Sequence, residues 1–446
     1  MIYEITILVN GGYNPAGKGA TEDEKVPVVF VQYGRIGGFI MSWLKKFQSE
    51  NRYLVFFFLY VGFCISYIDR SAIGLALPSV SKDFNLAPTE MGVIISVFFI
   101  GYSIMQIPGG WFADKFGSKT VICVALALWS VFTFTTGHAQ TLSGLLFLRF
   151  VFGLCEGPYA GSCFRALAEY FPREVRAKYT GFVLSSNYIG SALAPVVVVP
   201  LILWFGWRGM FQILGLIGLA YVFLYVTLVK ARRPAEEKKE DKKNQSKYFI
   251  QLLKMPLVWK LILCAFCVSC INKGLDAWIP TYLIAERGID LKAVGYLTPI
   301  PFIASFISSA SCGWIMDKFF DHREKYLIAL SGAGTAFFLF LMYHAETIAT
   351  VVIFQCGVYF FKSTIMALTV GLTLKVVTGA ISGSASALVN MGGQVAGFLS
   401  PAFMGYLVYA FNGSFSAVFY YLITMGALCA VFAMTIRRKP EEQANA

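Results

Sequence analysis

Charged residues are scarce in this sequence: they occupy 14% of 446 positions, whereas hydrophobic residues occupy 57%. Soluble domains average about 25% charged residues. Because a soluble core cannot conceal so much apolar surface, the composition excludes an ordinary soluble domain and predicts a helical membrane protein with many spans. The net charge of +12 does not indicate a nucleic-acid partner, since the basic residues lie between apolar segments rather than on one face.

Histidine is even scarcer, with three residues in the chain, and all three lie at the ends of apolar segments or in connections. The cysteines fall inside apolar runs rather than in loops, unlike a disulfide framework. Cys264, Cys267 and Cys270 have helical spacing without a histidine or carboxylate among them, so we predict no metal site. No nucleophile stands beside a base at credible spacing either. We therefore expect neither an enzyme nor a cofactor.

One seven-residue motif occurs twice. Residues 110–116 read Gly-Trp-Phe-Ala-Asp-Lys-Phe, and residues 313–319 read Gly-Trp-Ile-Met-Asp-Lys-Phe. Each copy closes a long apolar segment and opens a short charged turn. A period near half the chain length indicates two similar bundles, whose contact surface can hold a solute near the bilayer midplane. This duplication indicates a transporter.

Apolar windows of about twenty residues, the length that crosses hydrocarbon as an α-helix, number twelve. They lie at 53–78, 91–113, 118–138, 142–166, 179–203, 209–229, 258–284, 293–317, 326–345, 348–374, 382–410 and 414–436. The predicted fold class is all-α, with twelve transmembrane helices in two six-helix bundles. The predicted domains are a poorly ordered extension at 1–44, a bundle at 45–229, a charged cytoplasmic linker at 230–254, a bundle at 255–437 and a tail at 438–446.

The basic residues of the connections predict the orientation. With twelve spans, most basic residues of the connections lie on one side of the membrane: Lys45, Lys46, Lys115, Lys119, Arg173, Arg176, Lys178, the linker lysines, Lys318, Arg323, Lys325 and Arg437 to Lys439. The opposite side receives chiefly Lys82, Arg208, Arg287 and Lys292. By the positive-inside rule, both termini are expected in the cytoplasm, and the membrane is a plasma or inner membrane. We expect no span and no cleaved signal before Met41, which we take as the functional start.

Charged side chains within the spans are the first candidates for a functional site, because each costs about 2.5–3.5 kcal/mol at the centre of a membrane helix. They are Asp69, Arg70, Arg149, Glu156, Lys273, Asp276 and Lys362. Asp69 and Arg70 lie about 100° apart around their helix, which suits separate tasks of proton carriage and anion capture. In the alternative interpretation the charges pair internally and hold helices together, chiefly Arg149 with Glu156 and Lys273 with Asp276.

Four of these side chains are cationic and three are acidic, so the cavity is expected to favour an anion. Importing a monovalent anion against an inside-negative potential costs about 2.3 kcal/mol per 100 mV, and accumulation therefore requires cotransported cations. Two protons would reverse the sign, and Asp69 and Glu156 are the acids that could carry them. No histidine within a span competes for this role.

Polar and aromatic residues near these charges are further candidates. Tyr67, Tyr102, Gln106 and Trp278 could supply aromatic walls and hydrogen bonds, and Asn390 and Gln394 share one face of the eleventh span. The alternative is that such residues only pack between membrane helices. Arg165 and Glu169, four residues apart, are predicted to form a structural pair.

Two motifs resemble those of the major facilitator superfamily. Gly110-x3-Asp114-Lys115-x-Gly117-Ser118-Lys119 resembles its loop motif, with Lys and Ser where Arg is common, and Arg149-x3-Gly153-x3-Gly157 resembles its fourth-span motif. More specific runs resemble the anion:cation symporter family, and bacterial sugar-acid carriers above all: Tyr67 to Arg70, Ala76 to Pro78, Gly101 to Gly110, Phe171-Pro172, Trp278 to Leu283 and Asn390-x3-Gln394-x2-Gly397. The resemblance covers the chain from about residue 45.

The resemblance implies roles for several residues. Arg70 would bind the substrate carboxylate, Asp69 and Glu156 would be protonation sites, Arg149 would couple to Glu156, and Tyr102, Asn390 and Gln394 would contact the substrate. Asp114, Lys115, Arg176 and Asp317 would belong to a cytoplasmic gate. It also implies rocker-switch alternating access by a monomer whose partners are a small organic anion, protons and the lipid bilayer.

Lys273 with Asp276 and Lys362 depart from these carriers, in which neutral residues are more usual. Extra lysines suit a dianion such as a dicarboxylate or a phosphorylated sugar, so an organophosphate:phosphate antiporter is an alternative. A membrane sensor that binds the anion without transporting it is an alternative of another class. Since both proton-carrying acids are present, we favour a proton-coupled carrier of an organic carboxylate.

Overall fold

A computed structural model describes residues 51–232, 252–320, 323–376 and 382–436. The regular secondary structure of these residues is helical. The helices are α1 Arg52–Phe84, α2 Pro88–Phe116, α3 Ser118–Thr136, α4 Leu142–Tyr170, α5 Arg173–Leu228, α6 Pro256–Ala285, α7 Leu291–Leu297, α8 Pro299–Phe319, α9 Glu324–Tyr343, α10 Ile348–Val376, α11 Ser382–Ala410 and α12 Ser416–Met434. The predicted all-α class is confirmed.

Local signals in the sequence place several helix starts. Asn51, Thr141 and Asp290 each accept a hydrogen bond from a backbone N–H in the first turn of the helix that follows, which satisfies a donor that the helix itself cannot. Proline begins α2, α6 and α8, where its missing N–H costs nothing. These caps divide the apolar sequence into separate helices.

The twelve predicted spans correspond to these helices. Two spans share α5, which is interrupted at Gly206, where φ is 69°, and one span is divided between α7 and α8. Among the described residues, nine helical segments are long and apolar enough to cross a membrane. The helices α4 and α11 are not among these segments, because charged residues lower the hydropathy of α4 and glycine and polar residues lower that of α11. The count of twelve crossings therefore stays a prediction.

The predicted domain boundaries also stay predictions. The extension at 1–44, the proposed start at Met41, most of the linker and the tail at 438–446 lie outside the described residues.

The helices alternate in direction between two ends of the bundle. We name these the Asn85 end, where α1 connects to α2, and the Gly117 end, where α2 connects to α3. We also call residues 52–228 the first half and residues 256–434 the second half.

Glycine allows α2 and α4 of the first half to pack closely. A Cβ atom added at Gly153 of α4 would collide with the backbone of Phe98 and Tyr102, and one added at Gly109 of α2 would collide with Pro158. Small residues at a membrane helix interface permit such approach. The contact brings Tyr102 and the charges of α4 to the same side of the first half.

The two halves contact each other from the middle of their helices to the Asn85 end. Gly74 of α1 lies against the backbone of Ala277 in α6, and Gly397 of α11 lies against the ring of Phe99 in α2. Asn390 shares the α11 face of Gly397, since seven residues are two helical turns, yet it is exposed. At Asn390, therefore, the α11 face that carries Gly397 is not covered by α2.

Changing Gly153 to alanine should destabilise the protein by about 1–3 kcal/mol, because the added methyl group overpacks the α2–α4 contact. The measurement is the melting temperature of the purified protein in detergent. Gly161→Ala is the matched control on the same helix, since its Cβ would meet Gly110 at an ordinary 3.6 Å. Equal melting temperatures for the two variants would show that the close contact does not limit stability.

Candidate functional site

A cavity of about 70 Å³ lies between the halves, near the middle of the helices. Its charged and polar lining comes from both halves and includes Tyr67, Arg70, Arg149, Asn187, Lys273 and Asp276. Four of the charges that the sequence singled out therefore meet at one place. A larger groove of about 970 Å³ between α9 and α12 holds none of those charges, so the small cavity is the candidate site.

Arg70 and Glu156 form a buried ion pair at the cavity wall. Arg70 Nε donates to Glu156 Oε1 at 2.7 Å, and the Ser66 hydroxyl donates to the same oxygen. The rings of Tyr67 and Tyr102 lie 5.0 and 4.4 Å from the guanidinium carbon. The ion pair uses Nε, the Tyr102 side chain also interacts with Arg70, and the Arg70 side chain, which lines the cavity, is 13% exposed.

Arg149 and Glu156 do not form the ion pair that the alternative interpretation of the sequence predicted. Glu156 pairs instead with Arg70, which α1 brings within 2.7 Å of its carboxylate. Within the described chain, Arg149 has no ion pair; it is buried, its Nε lacks a hydrogen-bond partner, and its guanidinium carbon lies 5.0 Å from the Phe152 ring. Arg149 still interacts electrostatically with Glu156 and Asp69.

Both proton-carrying candidates are buried in the first half. Asp69 is 2% exposed and Glu156 is fully buried, and in the described part of the chain Asp69 Oδ1 and Glu156 Oε2 have no hydrogen-bond partner. An ionised carboxylate pays far more for such burial than a neutral carboxyl does. Arg70 offsets this cost for Glu156, whereas Asp69 has no ion pair in the described chain.

In the second half Asp276 pairs with Lys362 instead of Lys273. Asp276 Oδ1 accepts hydrogen bonds from Lys362 Nζ at 2.9 Å and from the Tyr359 hydroxyl at 2.7 Å. The Lys362 side chain is 2% exposed and that of Asp276 is 29% exposed. The expected pair of Lys273 with Asp276, three residues apart, does not form because α10 presents a closer cation. Lys362 does not line the cavity.

Lys273 lines the cavity from the second half. Its Nζ lies 5.0 Å from the ring centre of Phe99, which belongs to the first half. Among the described residues, no acid lies within ion-pair distance of it. Lys273 is close enough to Arg70 for the two positive charges to repel each other.

The predicted aromatic and amide contacts divide into two groups. The rings of Tyr67 and Tyr102 lie against Arg70; Tyr67 lines the cavity, whereas Tyr102 does not. Trp278 is buried, its Nε1 donates to the Pro401 carbonyl oxygen at 3.2 Å, and its ring packs on Phe415, so it joins α6 to α11 outside the cavity. Three predicted substrate contacts also lie outside the cavity lining: Gln106, Asn390 and Gln394.

The predicted gate residues lie at the Gly117 end. Asp114 pairs with Arg165 at 2.9 Å, whereas Arg176, its expected companion, donates to the Ala168 carbonyl oxygen at 2.9 Å. Arg165 also contacts Glu169 at 3.5 Å, and that predicted pair is confirmed. Asp114 and Arg176 are thus separate here because Arg165 lies on the α4 turn that faces α2.

The repeated motif makes the same contact twice. Lys115 Nζ lies 4.9 Å from the Trp111 ring centre, and Lys318 Nζ lies 4.8 Å from the Trp314 ring centre. The side chain of Asp317, the second-copy gate candidate, lies outside the described residues. Equivalent cation–π contacts support the duplication inferred from the sequence.

Several polar side chains at the site escaped the sequence analysis. Asn187, Asn272 and Ser191 line the cavity, Ser66 binds Glu156, and Tyr359 binds Asp276. Helical spacing was an available signal for two of them. Ser66 lies four residues before Arg70 and Tyr359 three residues before Lys362, so each shares a helix face with a charge.

Comparison with known proteins places these features in a family. The family model of the Major Facilitator Superfamily matches residues 59–370. The hexuronate transporter of Bacillus subtilis is 30% identical over 86% of this chain and 93% of its own. The "Probable sulfoacetate transporter SauU" of Cupriavidus necator is 29% identical over 90% of this chain and 98% of its own, and the "Probable galactarate/D-glucarate transporter GarP" of Escherichia coli K12 is 28% identical over the same shares.

Two solved structures share the fold. A bacterial homolog of the human lysosomal transporter Spinster, in an inward-facing and occupied conformation, superposes with a TM-score of 0.75 at 15% identity, over 88% of this chain and all of that chain. A D-xylose-proton symporter gives 0.70 at 17% identity, over 87% and 98%. Since the model match covers more than half of the sequence, the chain belongs to the Major Facilitator Superfamily and is a membrane transporter rather than an enzyme.

Proposed function

We propose that this protein is a proton-coupled symporter of a small organic anion, a sugar acid or a related carboxylate, that works by alternating access. The observation that carries the proposal is the ion pair of Arg70 with Glu156 at the cavity wall. The guanidinium of Arg70 is paired with an acid of the protein and also lines the cavity. The names of the relatives support the substrate class, because sulfoacetate, hexuronate, galactarate and glucarate are all organic anions.

Competition for Arg70 would couple the proton to the anion. When Glu156 is ionised, it neutralises Arg70 and reduces the attraction of Arg70 for a substrate carboxylate. When Glu156 binds a proton, Arg70 regains an unbalanced charge in surroundings of low polarity, where attraction to an anion is strongest. Proton and anion would therefore bind together.

Asp69 would supply the second proton. It is buried beside Glu156 and Arg149, with an oxygen that lacks a partner in the described chain. With a monovalent anion, two protons carry a net positive charge inwards, which an inside-negative potential favours by about 2.3 kcal/mol per 100 mV. With a dianion, they reduce the transported charge to zero, so the potential no longer opposes uptake.

The packing of the halves supports alternating access. They contact each other from the middle of their helices to the Asn85 end, so the cavity is closed on that side. Its volume of about 70 Å³ is well below the ~300 Å³ of small-molecule sites. The halves must therefore move relative to each other before a sugar acid can bind or leave.

The orientation follows from charge. The Gly117 end carries Lys115, Lys119, Arg176, Lys178, Lys318, Arg323 and Lys325, so the positive-inside rule assigns it to the cytoplasm. Both termini would lie on that side, and the membrane would be the bacterial inner (plasma) membrane. One chain encloses the cavity, which is sufficient for a monomer to act.

The organophosphate:phosphate antiporter stays an alternative because Lys273 adds a cation without an ion pair to the cavity. Lys362 supports it less, since this lysine is paired with Asp276. A phosphate-driven exchange also leaves Asp69 and Glu156 without a role. The sensor alternative requires binding without turnover, which an uptake assay can distinguish.

Uptake by the purified protein in proteoliposomes tests the proposal. The probes are labelled sugar acids, dicarboxylates and sugar phosphates, each with and without an inward proton gradient. We expect accumulation of a carboxylate only when the gradient is present. Phosphate-dependent exchange of a sugar phosphate, indifferent to the gradient, would establish the antiporter instead, and binding without uptake would establish the sensor.

Glu156→Gln tests the coupling step. Because glutamine mimics the protonated acid, Arg70 should stay available, so exchange of labelled for unlabelled substrate should continue. Gradient-driven accumulation should fall at least tenfold, because no proton is bound and released at this position. Arg70→Ala should abolish both activities.

The control is Glu346→Gln, which makes the same change at an exposed acid between α9 and α10. It should accumulate substrate as the wild type does. Normal accumulation by Glu156→Gln would remove Glu156 from the coupling mechanism.

A further inference from the structure

The cations near the cavity differ in what neutralises them. Arg70 is paired with Glu156, and Lys362 with Asp276. Lys273 lines the cavity without an acid within ion-pair distance in the described chain. A half-buried ammonium group close to a second cation is unfavourable unless an anion lies beside it.

Lys273 and Arg70 approach the cavity from opposite halves. Arg70 is on α1 of the first half, Lys273 is on α6 of the second, and both line the same small space. When Glu156 binds a proton, both cations carry an unbalanced charge, and a ligand with one anionic group balances only one of the two charges. A ligand with an anionic group at each end could contact both and relieve their mutual repulsion.

The natural acid partner of Lys273 is already engaged. Asp276 follows it by three residues on the same helix, a spacing at which opposite charges usually meet. Lys362 and Tyr359 both donate to Asp276 Oδ1, from 2.9 and 2.7 Å. These two bonds hold the carboxylate to α10, so Asp276 attracts Lys273 electrostatically but forms no ion pair with it.

We infer that Lys273 binds the second anionic group of a dianionic substrate, such as a sugar diacid or another small dicarboxylate, and that Lys362 is a positioning residue that keeps Lys273 available by holding Asp276. The inference rests on the proposed function and specifies the substrate class. Without Lys362, the free carboxylate of Asp276 would compete with the substrate for Lys273.

Lys273→Met tests the binding role. Glucarate, a dianion, and gluconate, a monoanion with the same carbon chain, serve as matched probes that compete with the labelled carboxylate found to be transported. The wild type should prefer glucarate. In Lys273→Met the ratio of gluconate to glucarate inhibition constants should fall at least tenfold, chiefly through weaker glucarate inhibition, because truncating one partner of a desolvated charge pair costs that much or more.

Lys362→Met and its combination with Asp276→Asn test the positioning role. The single variant should lose glucarate preference almost as Lys273→Met does, because Asp276 turns to Lys273. The double variant should recover the preference, because the competing carboxylate is gone. A purely structural role predicts a lower melting temperature for Lys362→Met with an unchanged inhibition ratio, and that result would overturn the positioning role.

Tyr359→Phe provides a second test of the positioning role if Lys362→Met does not fold. It removes one of the two hydrogen bonds to Asp276 and leaves the ion pair, so a smaller decrease in glucarate preference is expected. An unchanged preference in this variant would contradict the positioning role.

Two failures are distinguishable. If the wild type transports no carboxylate, the proposed function fails. If the wild type transports carboxylates and Lys273→Met keeps the same ratio of inhibition constants, the proposed function stands and the dianion inference fails.

Discussion

The buried ion pair between Arg70 and Glu156 is the interaction on which the rest of the cavity depends. Removing two charges from water costs several kcal/mol per ion, and well-packed apolar side chains often hold helices together equally well or better. The ion pair is therefore a costly way to hold two helices together. Its value lies in the possibility that a substrate anion replaces Glu156 as the partner of Arg70. The Ser66 hydroxyl donates to the carboxylate and the rings of Tyr67 and Tyr102 lie against the guanidinium, so contacts other than the ion pair also position Arg70 at the cavity.

The two halves share a repeated motif, yet they place their charges differently. At the cavity wall of the first half, Arg70 has Glu156 as its acid partner, and Asp69 and Glu156 each keep an oxygen without a hydrogen bond in the described chain. In the second half Asp276, Tyr359 and Lys362 satisfy one another, and Lys273 faces the cavity. This division suits a transporter in which one half binds protons and the other contributes to the choice of anion. The glycine contacts near the Asn85 end let the halves meet closely enough for both sets of charges to share one small space.

The sequence predicted the location of the site better than its contacts. Arg70, Arg149, Lys273 and Asp276 were singled out because charge in a membrane helix is costly, and all four line the cavity. Their partners were predicted less well. Helical spacing pairs residues on one helix, whereas Glu156 and Asp276 bind cations on other helices. Trp278 was chosen for its chemistry, but packing between α6 and α11 occupies both its ring and its N–H.

The sequence by itself determined that this is a duplicated, all-helical membrane protein with charges concentrated in a few spans, because hydropathy, helix caps and repeats are properties of local sequence. Only the tertiary structure decided which charges neutralise one another and which remain open to a ligand. An ion pair depends on a few ångströms between side chains of different helices, and that separation is set by how closely the backbones pack. Close contacts such as that of Gly74 with Ala277 determine it, and no spacing along the chain encodes it.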